Sequence, residues 1–496
     1  MTSTSRPGFA RRVVATAGVV AIALFGALAA AAPASAATGV GNITGSQGTL
    51  TIHKFERSTS NGQTAGTGQE QSVSGATLNG VTFTIQRVAN YDLTTAAGWT
   101  SVDAIRRAAN PVDAASKAEL TLVQTVTTAG AGTATATLPF GLYLVTETGS
   151  PSTVTEAAAP FLVTVPFATG PTATPANTWI YDVHVYPKNA VTKLDKRETT
   201  VAADIAAGAD LARWSITAQV PVLASGTLSS FSVGDVIDAS QLAFVTDAAA
   251  AALGRPGATV TATNATGAAV ALTAGTDYAI TPNPAAGTTL TVTFTSVGLT
   301  KLSTQAQGGA VAFTVLTRVV GVPTDGIITN RATSSINGNT SNTSQATATF
   351  GELQVFTHVT GTQTPLAGGS YQLKDAAGNV VTVNGVTSWT SDANGLLTVP
   401  DLRPGNCTLV LVTPPAGYQL PTNTQIATVV TAGKVVPSPP KNYVDVPYAQ
   451  LPAWALPLTG GDGALWFGVG GVALVVTALG AAIVVAARRR RAAAHA

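Results

Sequence analysis

Short runs in which β-branched or apolar residues alternate with polar ones recur along most of this chain. Thr49-Leu-Thr-Ile-His-Lys-Phe55, Val81-Thr-Phe-Thr-Ile85, Leu142-Tyr-Leu-Val145, Thr291-Val-Thr-Phe-Thr295 and Ala310-Val-Ala-Phe-Thr-Val315 each have the period of two that a half-buried strand requires. Gly, Pro, Asn and Asp punctuate them. Several such strands per unit predict an all-β protein of tandem immunoglobulin-like β-sandwich domains arranged as an elongated rod. Two Ala-rich stretches, Val102 to Ala118 and Asp247 to Leu253, read as short helices in loops.

Two segments break the alternation. Arg6, Arg11 and Arg12 precede an apolar stretch from Val13 to Ala32, followed by the small residues Ala34-Ser35-Ala36. That order is the pattern of a secretory signal peptide, with cleavage after Ala36. From Ala464 to Ala487 the chain is almost wholly apolar, long enough to cross a bilayer as a helix, and Arg488 to Arg491 follow as a cytoplasmic anchor. Between the two ends, three segments are expected: 37–189, 190–350 and 351–452, with 453–496 forming the C-terminal signal.

Composition narrows the functional classes. Of 496 residues only 10% are charged, the formal net charge is +2, and part of that positive charge is the terminal arginine run. The body therefore has no surplus of positive charge to attract nucleic acid. A single cysteine, Cys407, excludes an intramolecular disulfide framework, and its apolar setting reads as a buried small hydrophobe. His53, His184, His358 and His495 are scattered without ligand spacing, so no metal site is expected, and no cofactor. No nucleophile-base-acid constellation or phosphate loop is present, which argues against an enzyme. Asp392-Ala-Asn-Gly395 reads as a turn, and Asn42, Asn264, Asn339 and Asn342 fit a glycosylation sequon.

Leu456-Pro457-Leu458-Thr459-Gly460 lies just before the apolar span and basic tail. Pentapeptide, span and tail in this order resemble the cell-wall sorting signal of Gram-positive surface proteins. The stretch Trp179-Ile-Tyr-Asp-Val183-His-Val185-Tyr186-Pro187-Lys188-Asn189 resembles the pilin motif of sortase-assembled shaft proteins. Tyr143-Leu-Val-Thr-Glu147 resembles their E-box. The chain as a whole is similar to pilus shaft (backbone) pilins of the actinobacterial fimbrial type. Its first and third segments, which share Leu78-Asn-Gly80 to Phe83 and Leu366-Ala-Gly368 to Tyr371, are similar to the B-type domains of collagen adhesins.

The resemblance implies a mechanism. A sortase cysteine would attack the Thr459 carbonyl, release the chain from Gly460 onward and hold the rest as a thioester. Lys188 of a second copy would then resolve it, which requires an accessible amine at a domain edge. Implied partners are pilus-specific and housekeeping sortases, copies of the chain itself, minor pilins, peptidoglycan and an unidentified host or bacterial receptor. The implied location is the cell surface, after transient retention by the C-terminal helix. Glu147 reads either as an E-box residue or as a cross-strand surface charge. The alternative function is a wall-anchored adhesin that never polymerises.

The resemblance also implies internal isopeptide bonds from a first-strand lysine to a last-strand asparagine, promoted by an acid between them. In the middle segment the candidates are Lys196 or Lys193, Asp235 or Asp238, and Asn330, with Lys196 and Asp235 preferred by register. In the third segment Thr357 stands where the lysine belongs and Leu411 where the acid belongs, so no bond is expected, Asn442 alone being a plausible partner.

Overall fold

The computed structural model describes residues 42–61, 66–281, 288–438 and 440–452. The signal-peptide stretch, the LPLTG pentapeptide and the apolar C-terminal span lie outside these residues. Among the described residues the chain divides into two compact units, one holding 42–207 with 211–321 and 328–348, the other holding 208–210, 322–327 and 349–452.

The first unit contains two main hydrophobic cores. One, from Leu50 to Val191, lies between two layers. A four-stranded antiparallel sheet has the order Leu120–Thr127, Thr82–Val88, Gly141–Gly149, Phe161–Val165. Facing it, Gln47–His53 is flanked by Thr133–Pro139, antiparallel, and by Asp182–Val185, parallel. The parallel pairing continues in Phe55–Glu56 and Lys188–Val191, so the first and last strands of this sandwich run side by side. Alternation decides the facing: Leu50, Ile52, Val183 and Val185 are buried, while Thr49 and Thr51 face outward. The helices Ala96–Arg106 and Pro111–Ser116, each opened by an N-cap side chain (Thr95, Asn110), contribute Val102 and Ala115 to a small core with Leu142, Leu144 and Leu162. This covers the other face of the four-stranded sheet and explains why Phe161–Val165 is buried throughout.

The other core of this unit, from Ala190 to Ile336, lies between a six-stranded and a five-stranded sheet. Leu194–Glu198 pairs with Leu211–Gln219, and Phe231–Val236 pairs with Ile327–Ile336. The second unit has the same plan as the first sandwich on a smaller scale. Gly351–Val359 runs parallel to Tyr443–Gln450, and Ser370–Asp375 pairs with Gly405–Thr413 around a core from Leu353 to Tyr448. Cys407 is buried there as a free thiol that burial pushes up to about 11, the behaviour of a hydrophobe and not of a nucleophile.

Candidate functional site

The sequence alternation places Leu50, Ile52 and Lys54 on one face of the first strand, so an amine ends an apolar stripe. Lys54 is fully buried. The carbonyl of Gly132, a residue at positive φ, accepts from the Lys54 N–H; a Cβ there would stand 2.6 Å from the Lys54 carbonyl oxygen, a closeness only glycine tolerates. The Lys54 ammonium sits 2.9 Å from Glu147 Oε2 and donates a very short hydrogen bond to Asn189 Oδ1. The circuit closes where Asn189 Nδ2 donates to Glu147 Oε1 at 2.5 Å. The Ala158 N–H donates to Asn189 Oδ1 at 2.7 Å, and Ser150 donates to Glu147. Burial pulls Lys54 down to about 8, against the opposing attraction of Glu147.

This arrangement can do amide exchange. In such an exchange a neutral Lys54 amine would attack Asn189 Cγ, the Ala158 N–H would face the oxygen on which negative charge develops, and Glu147 would carry a proton to the departing nitrogen. One C–N bond forms, one breaks, and ammonia leaves. Sequence reasoning assigned Asn189 to the motif and Glu147 to the E-box but passed over Lys54. The available signal was a lysine on the inward parity of an apolar strand. Glu147 is not a surface charge, since its side chain is only 2% exposed.

Lys188 departs from expectation. It lies in Lys188–Val191, buried along its whole length, and Nζ donates to the Tyr186 carbonyl at 3.2 Å. The parallel ladder with Phe55 and the Arg57 side chain, which donates to the Lys188 carbonyl, explain the burial. Burial first, then Arg57, lower its pKa. Both effects move the amine toward its neutral form, and its buried placement differs from the accessible edge expected of it. Among the other motif positions, Val183, Val185 and Tyr186 are buried, and Trp179 donates to Asn42. Tyr143 is buried and donates to the Pro139 carbonyl.

In the middle sandwich Lys196 Nζ lies 3.0 Å from Asp235 Oδ2, both side chains fully buried, and Asn330 Nδ2 reaches the same oxygen at 3.4 Å. Asp235 Oδ1 and Asn330 Oδ1 find no hydrogen-bond partner. Burial lowers Lys196 and raises Asp235, so both move toward a neutral amine beside a neutral acid. Lys193 stands apart, exposed and paired with Glu56 at 2.9 Å. Asp238 also stands apart, its carboxylate accepting from Ser240 and Gln241 in a turn.

The third sandwich holds neither group. Leu411 pairs with Tyr371 as Glu147 pairs with Phe83 in the first. Thr357 pairs with Val446, so the position matching Asn189, two residues further along the parallel strand, is Tyr448 and not Asn442. Asn442 spends its amide on Thr431 and Gly433. Where the other sandwiches hold amine and acid, this one holds the hydroxyls of Thr357 and Tyr371 at 2.7 Å, with Tyr448 against Tyr371.

The histidines are not all scattered. The parallel register pairs His184 with Thr51 and sets it diagonally beside His53, bringing two residues 131 positions apart to 2.8 Å between ring nitrogens.

Comparison with known proteins gives a consistent picture. Residues 45–190 match the family described as Gram-positive pilin subunit D1, N-terminal domain, and residues 351–438 match a prealbumin-like fold domain. The chain is similar to the fimbrial subunit type 2 of Actinomyces naeslundii, 29% identical over 95% of this chain and 96% of the relative. It is also similar to the fimbrial subunit type 1 of Actinomyces viscosus, 38% identical over 35% of this chain and 31% of that one. Among solved structures, the full-length major pilin SpaD from Corynebacterium diphtheriae matches with a TM-score of 0.60 and 24% identity, covering 82% of this chain and 98% of that one.

Proposed function

We propose, from the premise that this chain belongs to the Gram-positive shaft pilins and is a pilus shaft subunit, that Lys188 is the amine joined to Thr459 of a neighbouring copy. The role is structural: copies of the chain form a covalent polymer at the cell surface. The supporting observation is that Lys188 adjoins Asn189, one corner of the buried Lys54, Glu147 and Asn189 circuit. A residue that takes the pull of the preceding subunit is thereby next to the residue best placed to be tied to the first strand. Sortase supplies the thioester at Thr459, and the wall supplies an alternative amine that ends the polymer.

We further assign three sandwich domains, with boundaries near 189 and 350. The first is closed by a Lys54–Asn189 bond, the second by Lys196–Asn330, and the third is left unlinked. An internal amide resists separation of first and last strands as a disulfide does, without sensitivity to reduction. Replacing Lys188 with Ala tests the assembly. It is expected to abolish the high-mass ladder on denaturing gels while a monomer remains attached to the wall through Thr459. An undiminished ladder overturns the assignment, and a single band from wild-type cells favours the monomeric adhesin.

A further inference from the structure

Outside the bond-forming sites, the outward face of the first sandwich gathers a second cluster of chemistry-bearing side chains. Three separate segments supply it: His53 ends the first strand, His184 lies in the motif strand, and Glu70 comes from the loop that crosses them. One ring nitrogen of each histidine and a Glu70 carboxylate oxygen all lie within 4.8 Å of one another. His53 Nε2 and His184 Nδ1 are 2.8 Å apart. At that separation one ring nitrogen donates to the other, so a single hydrogen lies between the two rings.

We propose that His53, His184 and Glu70 form a binding site for a divalent transition-metal ion of the zinc class, with a fourth position left open to water.

The donor set carries the choice of ion. Two imidazoles and one carboxylate suit zinc and its neighbours, whereas calcium and magnesium take oxygen ligands. Tetrahedral coordination at zinc-to-nitrogen lengths of about 2.0 Å sets ligand atoms roughly 3.3 Å apart. The two nitrogens therefore have to part by about half an ångström, and Glu70 has to close in, both within side-chain rotation. The ion replaces the shared proton, which moves to the other nitrogen of the His53 ring.

The surroundings favour this use. His184 Nε2 lies 3.3 Å from Asp182 Oδ2, so an N–H donated to that carboxylate leaves Nδ1 as the free lone pair facing the site. Asp182 is held in turn by the Thr49 hydroxyl. The His53 ring stacks on Tyr186, centroids 4.8 Å apart, which fixes its plane. The loop is registered on the strand: the His184 N–H donates to Gly68 at 2.9 Å, and the Tyr186 hydroxyl accepts from the Gln71 N–H at 2.5 Å. Glu70 is thus anchored on both sides before any ion arrives. Binding would clasp this loop onto the first strand and onto the motif strand at His184, four residues before Lys188.

Isothermal titration of the purified full chain with zinc chloride alone tests the site. One ion per chain is expected, with affinity at least tenfold weaker in His53→Gln and in His184→Gln. Glu70→Ala is expected to lose several-fold, and Asp182→Asn, which touches only the outer nitrogen of His184, about tenfold. His358→Gln should bind as wild type, and excess calcium chloride should not compete. Cobalt chloride should give visible bands of tetrahedral intensity. Absence of saturable binding, or affinity unchanged in both histidine variants, overturns the proposal. If a variant fails to fold, the wild type still decides. Zinc chloride should protect His53 and His184 from diethyl pyrocarbonate while His358 reacts as before, and equal modification with and without zinc counts against the site.

Discussion

Glu147→Ala removes the acid from the first sandwich and leaves a buried amine beside Asn189. Lys54 holds its proton with a pKa of about 8, against 10.5 in an exposed lysine. In an unlinked chain at pH 7, keeping that ammonium buried costs about 3 kcal/mol, at 1.36 kcal/mol for each pKa unit. Without Glu147 the amine escapes by losing its proton, which caps the cost at about 5 kcal/mol at pH 7. The electrostatic difference is therefore no more than about 2 kcal/mol. Asn189 Nδ2 loses its acceptor, adding about 1 to 3 kcal/mol, while the Ala158 N–H keeps Asn189 Oδ1. Loss of the cross-link between residues 135 apart adds about 5 kcal/mol in the chain-entropy account.

A reference variant, Lys54→Met with Glu147→Leu, separates these contributions. It also lacks the bond, but it strands no charge. Denaturant unfolding should rank wild type first, the double variant next and Glu147→Ala last. The sign with pH follows from a lysine whose folded pKa is depressed. With Glu147 the penalty would be complete below about 8; without it the folded pKa lies lower still, so the penalty already fades around pH 7 and continues to fade toward 10.5, and the gap between the two variants should narrow from pH 7 to pH 10. Mass spectrometry of a digest gives the direct readout. A peptide joining the segments around residues 54 and 189 is expected in wild type and absent in Glu147→Ala. Its persistence in Glu147→Ala would refute the catalytic reading of the carboxyl, and a gap independent of pH would refute the stranded amine.

Other outcomes follow from the remaining sandwiches. Asp235→Ala should leave the chain one ammonia heavier than the mass of the substituted chain with both bonds closed, with the Lys54 to Asn189 peptide intact and the middle sandwich open to protease, as peptide mapping would show. Lys193→Ala, by contrast, should shift the mass by the substitution alone and leave the middle sandwich as resistant to protease as wild type. Thr357→Val should destabilise the third sandwich by about 1 to 2 kcal/mol, measured by denaturant unfolding, because it strips a buried partner from Tyr371. Pulled between its ends, the third sandwich should extend almost fully at modest force while the middle one stays short. Equal resistance would show that an unrecognised cross-link is present.

The all-β architecture was legible because alternation reports facing directly: Thr49 to Phe55 and Ala310 to Val315 lie in strands with the expected residues inward. The middle cluster was legible by order alone, since an inward lysine, an inward aspartate and a last-strand asparagine are enough to suggest it. The first cluster was missed although Lys54 carries the same signal, because the adjoining motif drew the reading to Lys188. Lys188 was expected outside for its chemistry, yet its strand is central to a ladder and buried for that reason. The pairing of His53 with His184 could not be seen at all, since it depends on parallel register between strands far apart in sequence. Asn442 was chosen for its residue type, while register selects Tyr448.

The neighbouring positions of Lys188 and Asn189 have a mechanical consequence. With Lys188 as the acceptor, tension from the preceding subunit enters at that side chain and leaves along the backbone toward Lys196 and the middle sandwich. Residues before Lys188 then lie off the load line, so the first sandwich hangs beside the tensile path and is not stretched through its length. What tension threatens there is local: peeling Lys188–Val191 away from Phe55–Glu56, where the backbone pairing is a short parallel ladder. An amide from Asn189 to Lys54 would sit one residue from the point of pull and turn that peel into a covalent hinge, with the whole folded sandwich acting as the anchor plate.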